Sequence, residues 1–359
     1  MRNSFIFITS FHFLGHINVS REGDLYVKQH LHTLFNLRAE PDGLYRSYER
    51  YRCQSGHYLV VPVAHLEADE IEEMSLLGEY FIQKGDQHIA AIVKNKRGEI
   101  VSKAEEQLFV LLKCPYEARN VDYSRTISEE LAVFHQKGRR ITFPIQKLVR
   151  IGQWKAMWEK RIDQMEQFWA LKTKDHPIEL FERLFIESFP YYVGITENAI
   201  QYLVDTEMDD LPKENDYGTV CHHRFSYDCW RHESIMRLPT DWVYDHPSRD
   251  LVEWIRSSFN EEPQRSEHYY QFISNYEKVQ PLSTFSLRLL YSRLMFPVHY
   301  LECIESYYRT QDEEQKQALT EHLQLILKRS HRYERLLHDI HGLIGTRRRG
   351  MNIPKVNWI

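Results

Sequence analysis

Residues 107–113, QLFVLLK, form a continuous apolar run bounded by polar residues. A run of this length reads as a strand covered on both faces, and such a strand needs a layered partner on each side. Its surroundings supply strands. LYRSYERYR (44–52) and HYLVVPVA (57–64) are separated by the turn-like CQSG and read together as a hairpin. Ala68, Ile71, Met74, Leu77 and Phe81, spaced by three or four, predict a helix. IAAIVKNKRGEIVS then offers two strands around a turn at Lys96-Arg97-Gly98. Residues 44–113 thus read β-β-α-β-β-β.

Beyond CPYEARN (114–120) the pattern changes to helices. Thr126 with Glu129 three residues on is a capping box for TISEELAVFHQ. Trp154, Met157, Trp158, Ile162, Met165 and Trp169 line one apolar face. A helix over 178–189 is expected to stop at Pro190, with a separate helix, ENAIQYLVD, capped by Thr196. TDWVYDHPSRDLVEWIR reads as a short extended segment and then a helix from about Ser248. A long aromatic helix over 287–308 should kink at Pro297, and 319–343 closes the chain as an amphipathic helix. The first forty residues read as an irregular extension, and Arg347-Arg348-Arg349 as part of a solvated basic tail over 346–359.

Charge excludes one class of partner. Lys and Arg total 46 against 51 Asp and Glu, a net charge of −5 with no basic stripe, so no nucleic-acid footprint is present. No apolar run reaches membrane-spanning length. Five cysteines in no disulfide spacing predict reduced thiols. The 22 Tyr, 18 Phe and 7 Trp predict a large aromatic core.

A small β-rich part followed by a larger helical part suggests the protein-kinase-like bilobal fold, with a β-rich lobe over 41–115 and a helical lobe over 116–345. Phosphoryl transfer on that fold needs a loop over the phosphates, a lysine on the third strand, a catalytic-loop aspartate, an asparagine for metal and a second metal aspartate. No two glycines lie one residue apart, so no GxGxxG loop exists. HYLVVPVA has no lysine; Val61 takes its place, with Val60 beside it, while Lys94 and Lys113 belong to other strands. In CHHRFSYDCW (221–230), the H-x-D-x-x-x-x-N pattern counted from His222 puts Arg224 at the aspartate and Cys229 at the asparagine. Counted from His223, it puts Phe225 and Trp230 there. A guanidinium cannot accept a proton at pH 7, and a thiol does not suit magnesium. Zinc held by Cys221, His222, His223, Cys229 and His232 fits no finger or knuckle spacing.

LAVFH, GTVCHHRF and LPTDWVYDHPSRDL, with IGQWKAMWEKRI and ENAIQYLVD, resemble the CotS-like endospore coat proteins of the aminoglycoside phosphotransferase and choline kinase clan, in particular the YutH type. The resemblance spans about residues 40–345. It implies a protein made in the sporulating mother cell and carried to the spore coat, with other coat proteins as partners. It also assigns Asp241 to the magnesium aspartate and Asp250 to a helix aspartate further on. The residues themselves point to degenerate catalysis, with no catalytic group, metal or cofactor expected. The alternative is an active phosphotransferase using Mg-ATP on a small molecule or polysaccharide, in which Asp241 holds metal and Asp228 or Asp245 is the base.

Overall fold

The computed structural model describes residues 21–105, 107–115, 125–174, 179–226, 229–230, 236–261, 265–346 and 353–356. These form two compact units. One holds the described residues up to 149 together with those of 219–245. The other holds the described residues of 150–218 and from 246 onward. The LAVFH helix and CHHRF fall in the same unit as the strands.

In the first unit, β1 (Glu40–Tyr45), β2 (Tyr48–Cys53), β3 (Gly56–Pro62), β6 (Gln107–Lys113) and β4 (Ala91–Val93) lie in that order, and β5 (Ser102–Ala104) pairs the other part of β6. QLFVLLK is central as its composition demands, with Val110, Leu111 and Leu112 fully buried. Its two faces feed two clusters. Val110 and Leu112 join Leu59, Val61, Ile71 and Leu238, while Leu111 joins Leu31, Tyr51 and Tyr58. The second cluster corrects the reading of residues 1–40. Residues 21–35 are a helix, α1 (Arg21–Phe35), whose Leu31 is buried against the sheet, with Phe35 packed on the same cluster. Residues 1–20 lie outside the described residues, as do Arg347, Arg348 and Arg349.

LYRSYERYR is the other correction in this unit. It is not one strand. Tyr45 pairs with Tyr48, so the chain turns at Arg46-Ser47. Helix α2 (Ala68–Gln83) buries Ile71, Met74 and Leu77, and Ile71 joins the sheet's apolar cluster. Helix α3 (Ile127–Gly138) starts with the predicted Thr126–Glu129 capping box. It ends against β7 (Thr219–His222), which pairs antiparallel with β8 (Trp242–Asp245). The contact is close at Gly138, where a Cβ would stand 2.8 Å from the Val220 backbone nitrogen. Helix propensity alone would make Gly138→Ala stabilising by up to about 1 kcal/mol. Backbone crowding reverses the sign, and a loss of about 1–3 kcal/mol is expected in thermal unfolding.

The second unit is helical. It comprises α4 (Trp154–Lys172), α5 (Leu180–Asp209), α6 (Ser248–Glu261), α7 (Ser266–Val279), α8 (Thr284–Met295), α9 (Val298–Arg309) and α10 (Glu313–Thr346). Helix α5 runs through Pro190 instead of ending there. Proline at 190 cannot donate to the Ile186 carbonyl. The Trp169 indole of α4 does so instead, Nε1 to oxygen 3.1 Å, so the helix continues without an orphaned acceptor. Pro297, by contrast, separates α8 from α9 outright rather than kinking one helix. Aromatic pairs fill this interior, among them Trp158 stacked on Phe296 at 4.4 Å. Among the described residues no helix is long and apolar enough to cross a membrane.

Candidate functional site

The chain leaves β7 after His222, with His223–Ser226 following, and returns through a 3-10 turn, Pro239–Asp241, into β8. Register pairs Cys221 with Val243 and His222 with Trp242. The His223 N–H donates to the Asp241 carbonyl at 2.6 Å, so the start of the loop and Asp241 are tied through backbone. The alternation of β7 sends neighbouring side chains to opposite faces. His222 is buried among Phe134, Phe225 and Trp230, with ring centroids 4.9–5.3 Å away. Cys221 lies instead 3.9 Å from His135 Nε2 and donates to the Asp245 carbonyl at 3.5 Å. His232 lies outside the described residues, as do Asp228 and its neighbour Tyr227.

Arg224 and Cys229 close the loop on itself. The Arg224 guanidinium donates to the His223 carbonyl at 3.3 Å. The Cys229 sulfur accepts from the Ser226 N–H at 3.2 Å and donates to the Arg224 carbonyl at 3.6 Å. Burial raises the Cys229 thiol pKa, more than the nearby Arg46 charge lowers it, so sulfur stays protonated. A protonated buried thiol is neither a nucleophile nor a hard metal ligand.

Asp241 meets a cation that sequence reading passed over. Arg46, at the β1–β2 turn, places Nη1 2.7 Å from Asp241 Oδ2 and Nη2 3.4 Å from the Cys229 carbonyl. The side chains of the pair are only 25% and 21% exposed, so this ion pair is more than surface decoration. Burial pulls the Arg46 pKa down, but the Asp241 charge and hydrogen bond, together with smaller contributions from Cys229 and Tyr45, outweigh it and the net shift is upward. Flanking tyrosines seat the turn. The Tyr45 hydroxyl donates to the Met236 carbonyl at 3.2 Å, and Tyr45 and Tyr48 pack on the cluster holding Met236 and Leu238. Arg237 beside them pairs with the buried Asp86 and lies 4.1 Å over the Trp230 ring.

The other sequence-derived positions do not converge on Asp241. Asp245 ends the strand that Asp241 precedes, four residues or about 13 Å of extended chain away. Asp250, in the first turn of α6, belongs to the other unit. Val61 is 2% exposed within the sheet's apolar cluster. Lys94 and Lys113 are exposed. Helix α2 follows β3 directly, where kinases carry the glutamate that pairs with the strand lysine. Here Glu73 of α2 accepts from the N–H groups of Gln146, Lys147 and Leu148 at 2.9–3.0 Å. It serves as an anchor for that segment.

One signal for Arg46 was present in the sequence. Aromatics at 45, 48 and 51 recur every third residue, which one continuous strand with a period of two cannot place on one face. The break in period marks the turn.

Comparison with known proteins gives the family and the fold. Residues 28–340 match the family model described as "Spore coat putative kinase YutH". The endospore coat-associated protein YutH of Bacillus subtilis (strain 168) is 42% identical over 316 residues, covering 87% of this chain and 92% of the relative. Among solved structures, an aminoglycoside phosphotransferase from Alicyclobacillus acidocaldarius superposes with a TM-score of 0.62 at 11% identity, covering 86% of this chain and 94% of that one. A microcompartment-associated aminopropanol kinase gives 0.56 at 14% identity, covering 92% and 100%. At such identities the structural matches establish the fold, which is that of the aminoglycoside phosphotransferases.

Proposed function

The chain belongs to the YutH family of spore coat kinase-like proteins, and on that premise we propose that it is a degenerate kinase-fold protein with a structural or interaction role in the endospore coat. It would be made in the mother cell and would act by binding other coat proteins. The carrying observation is the absence of the strand lysine on which phosphate positioning depends. Val61, at the position counted for the lysine, is a core residue, and Glu73, one of the glutamates of α2, is spent on backbone N–H groups. Arg224 and Cys229 at the base and metal positions support the same reading, since both are engaged within their own loop. Loss of one such group ordinarily costs orders of magnitude in rate, and several are replaced together here.

Mg-ATP, the group the fold implies, is not matched by these residues. A magnesium ion needs near-octahedral oxygen ligation. The asparagine position offers a protonated thiol, and Asp241 is already paired with Arg46. No phosphoryl step is therefore written through this site.

A complementation experiment separates a binding role from a catalytic one. Asp241→Asn keeps an acceptor for Arg46 but removes the carboxylate any metal-dependent transfer would require. Spores whose only copy carries Asp241→Asn are expected to retain the protein in the coat and to match wild type. If that strain reproduces the null phenotype while the protein accumulates normally, the reading fails.

A further inference from the structure

The residue at the β1–β2 turn is not one the backbone would choose. Arg46 has φ = +54°, the left-handed region, which costs a non-glycine L-residue about 1–2 kcal/mol. Glycine would take this conformation freely. Strain of this kind persists where the side chain is put to use. The use is visible: the conformation aims the guanidinium at Asp241, and Tyr45 and Tyr48 on either side clamp the turn onto the segment leading to that aspartate.

We infer that Arg46 is a built-in replacement for the divalent cation at Asp241, and that the β1–β2 turn is a latch closing this carboxylate to metal ions. The inference deepens the reading of a degenerate site and rests on it. A partly buried carboxylate needs a positive counter-charge. In a metal-dependent phosphotransferase a divalent ion supplies it. Here the chain supplies its own, with Nη1 on Asp241 and Nη2 on the Cys229 carbonyl, the residue standing at the asparagine position. One guanidinium thus engages the Asp241 carboxylate and the backbone of the residue at the asparagine position. It satisfies the charge without ordered phosphates or further oxygen ligands, so the turn and the 3-10 segment are held in place in the absence of any ligand. The Tyr48 hydroxyl pKa is raised first by burial and next by the Asp241 charge.

The test is metal rescue, read as stability instead of turnover. Thermal unfolding of the full chain is followed with and without manganese chloride at millimolar concentration. Wild type should give the same midpoint in both. Arg46→Ala should unfold several degrees lower, and manganese should restore a substantial part of that loss, because an ion that binds only the folded chain stabilises it by mass action. Arg46→Ala with Asp241→Asn should show no manganese response. Arg46→Gly relieves the backbone strain while removing the cation, so it carries the same test if the alanine variant does not fold. Arg46→Lys keeps a positive charge and should remain indifferent to manganese. A wild-type shift as large as that of the variants overturns the inference, as does the absence of a manganese response in both Arg46→Ala and Arg46→Gly. Neither result bears on the coat role, which the Asp241→Asn complementation decides separately.

Discussion

Glu305→Ala is expected to remove about 3–5 kcal/mol of stability, the largest loss from any single substitution considered for this chain. Arg161 of α4 and Glu305 of α9 form a two-point contact, Nε to Oε1 at 2.7 Å and Nη2 to Oε2 at 2.9 Å, with both side chains 2% exposed. Truncating the acid leaves a guanidinium inside the helical unit without its carboxylate. Arg161→Met should cost less, because Arg309 stands 3.7 Å from the Glu305 carboxylate and keeps a positive charge beside it. The double replacement Arg161→Met with Glu305→Leu should recover most of the loss, since an apolar pair of similar volume avoids desolvating two ions. Chemical denaturation of the three variants checks the order. Equal losses in both single variants, undiminished in the double, would contradict it.

Acid sensitivity should trace to a second buried carboxylate of the same unit, Asp216. It accepts from the Lys213 N–H at 2.7 Å, the Ser283 hydroxyl at 2.6 Å and the Ser286 hydroxyl, with His246 Nε2 3.7 Å away. The Ser248 N–H donates to His246 Nδ1 at 3.1 Å, which puts the ring proton on Nε2, toward Asp216. Burial alone would raise the Asp216 pKa, but the donors from His246, Ser283, Ser286 and Lys213 outweigh it and lower it to about 2. The folded pKa lies below the unfolded value, so the ionised form stabilises the fold. That contribution, about 2 kcal/mol, is present at neutral pH and is lost as the pH falls from about 4 toward 2. Asp216→Asn should lose a comparable amount at pH 7 and show a flatter decline across that window. An unchanged acid profile in the variant would remove Asp216 from the explanation.

What could be read from the sequence divides by the range of the interactions involved. QLFVLLK was legible as a covered strand because seven residues of local composition decide it, and Thr126–Glu129 because a capping box spans one turn. Pro190 misled because the donor that replaces its missing N–H, Trp169, comes from another helix. Helix α1 was missed because its burial depends on Tyr51, Tyr58 and Leu111, which the chain reaches only later. The candidate site shows the same division. Val61, Arg224 and Cys229 could be located by counting along short motifs, whereas the partner of Asp241 lies 195 residues away. Arg46 sits in a turn whose backbone conformation its residue type does not announce.

The structure thus joins a phosphotransferase fold to a site whose cation and loop contacts are internal. The most direct measurement is transfer or release of the ATP γ-phosphate by the purified full chain with magnesium, compared with Asp241→Asn prepared in parallel. The account predicts no turnover above that of the variant at any nucleotide concentration up to the millimolar range. Magnesium-dependent turnover by the wild type that Asp241→Asn abolishes would contradict it.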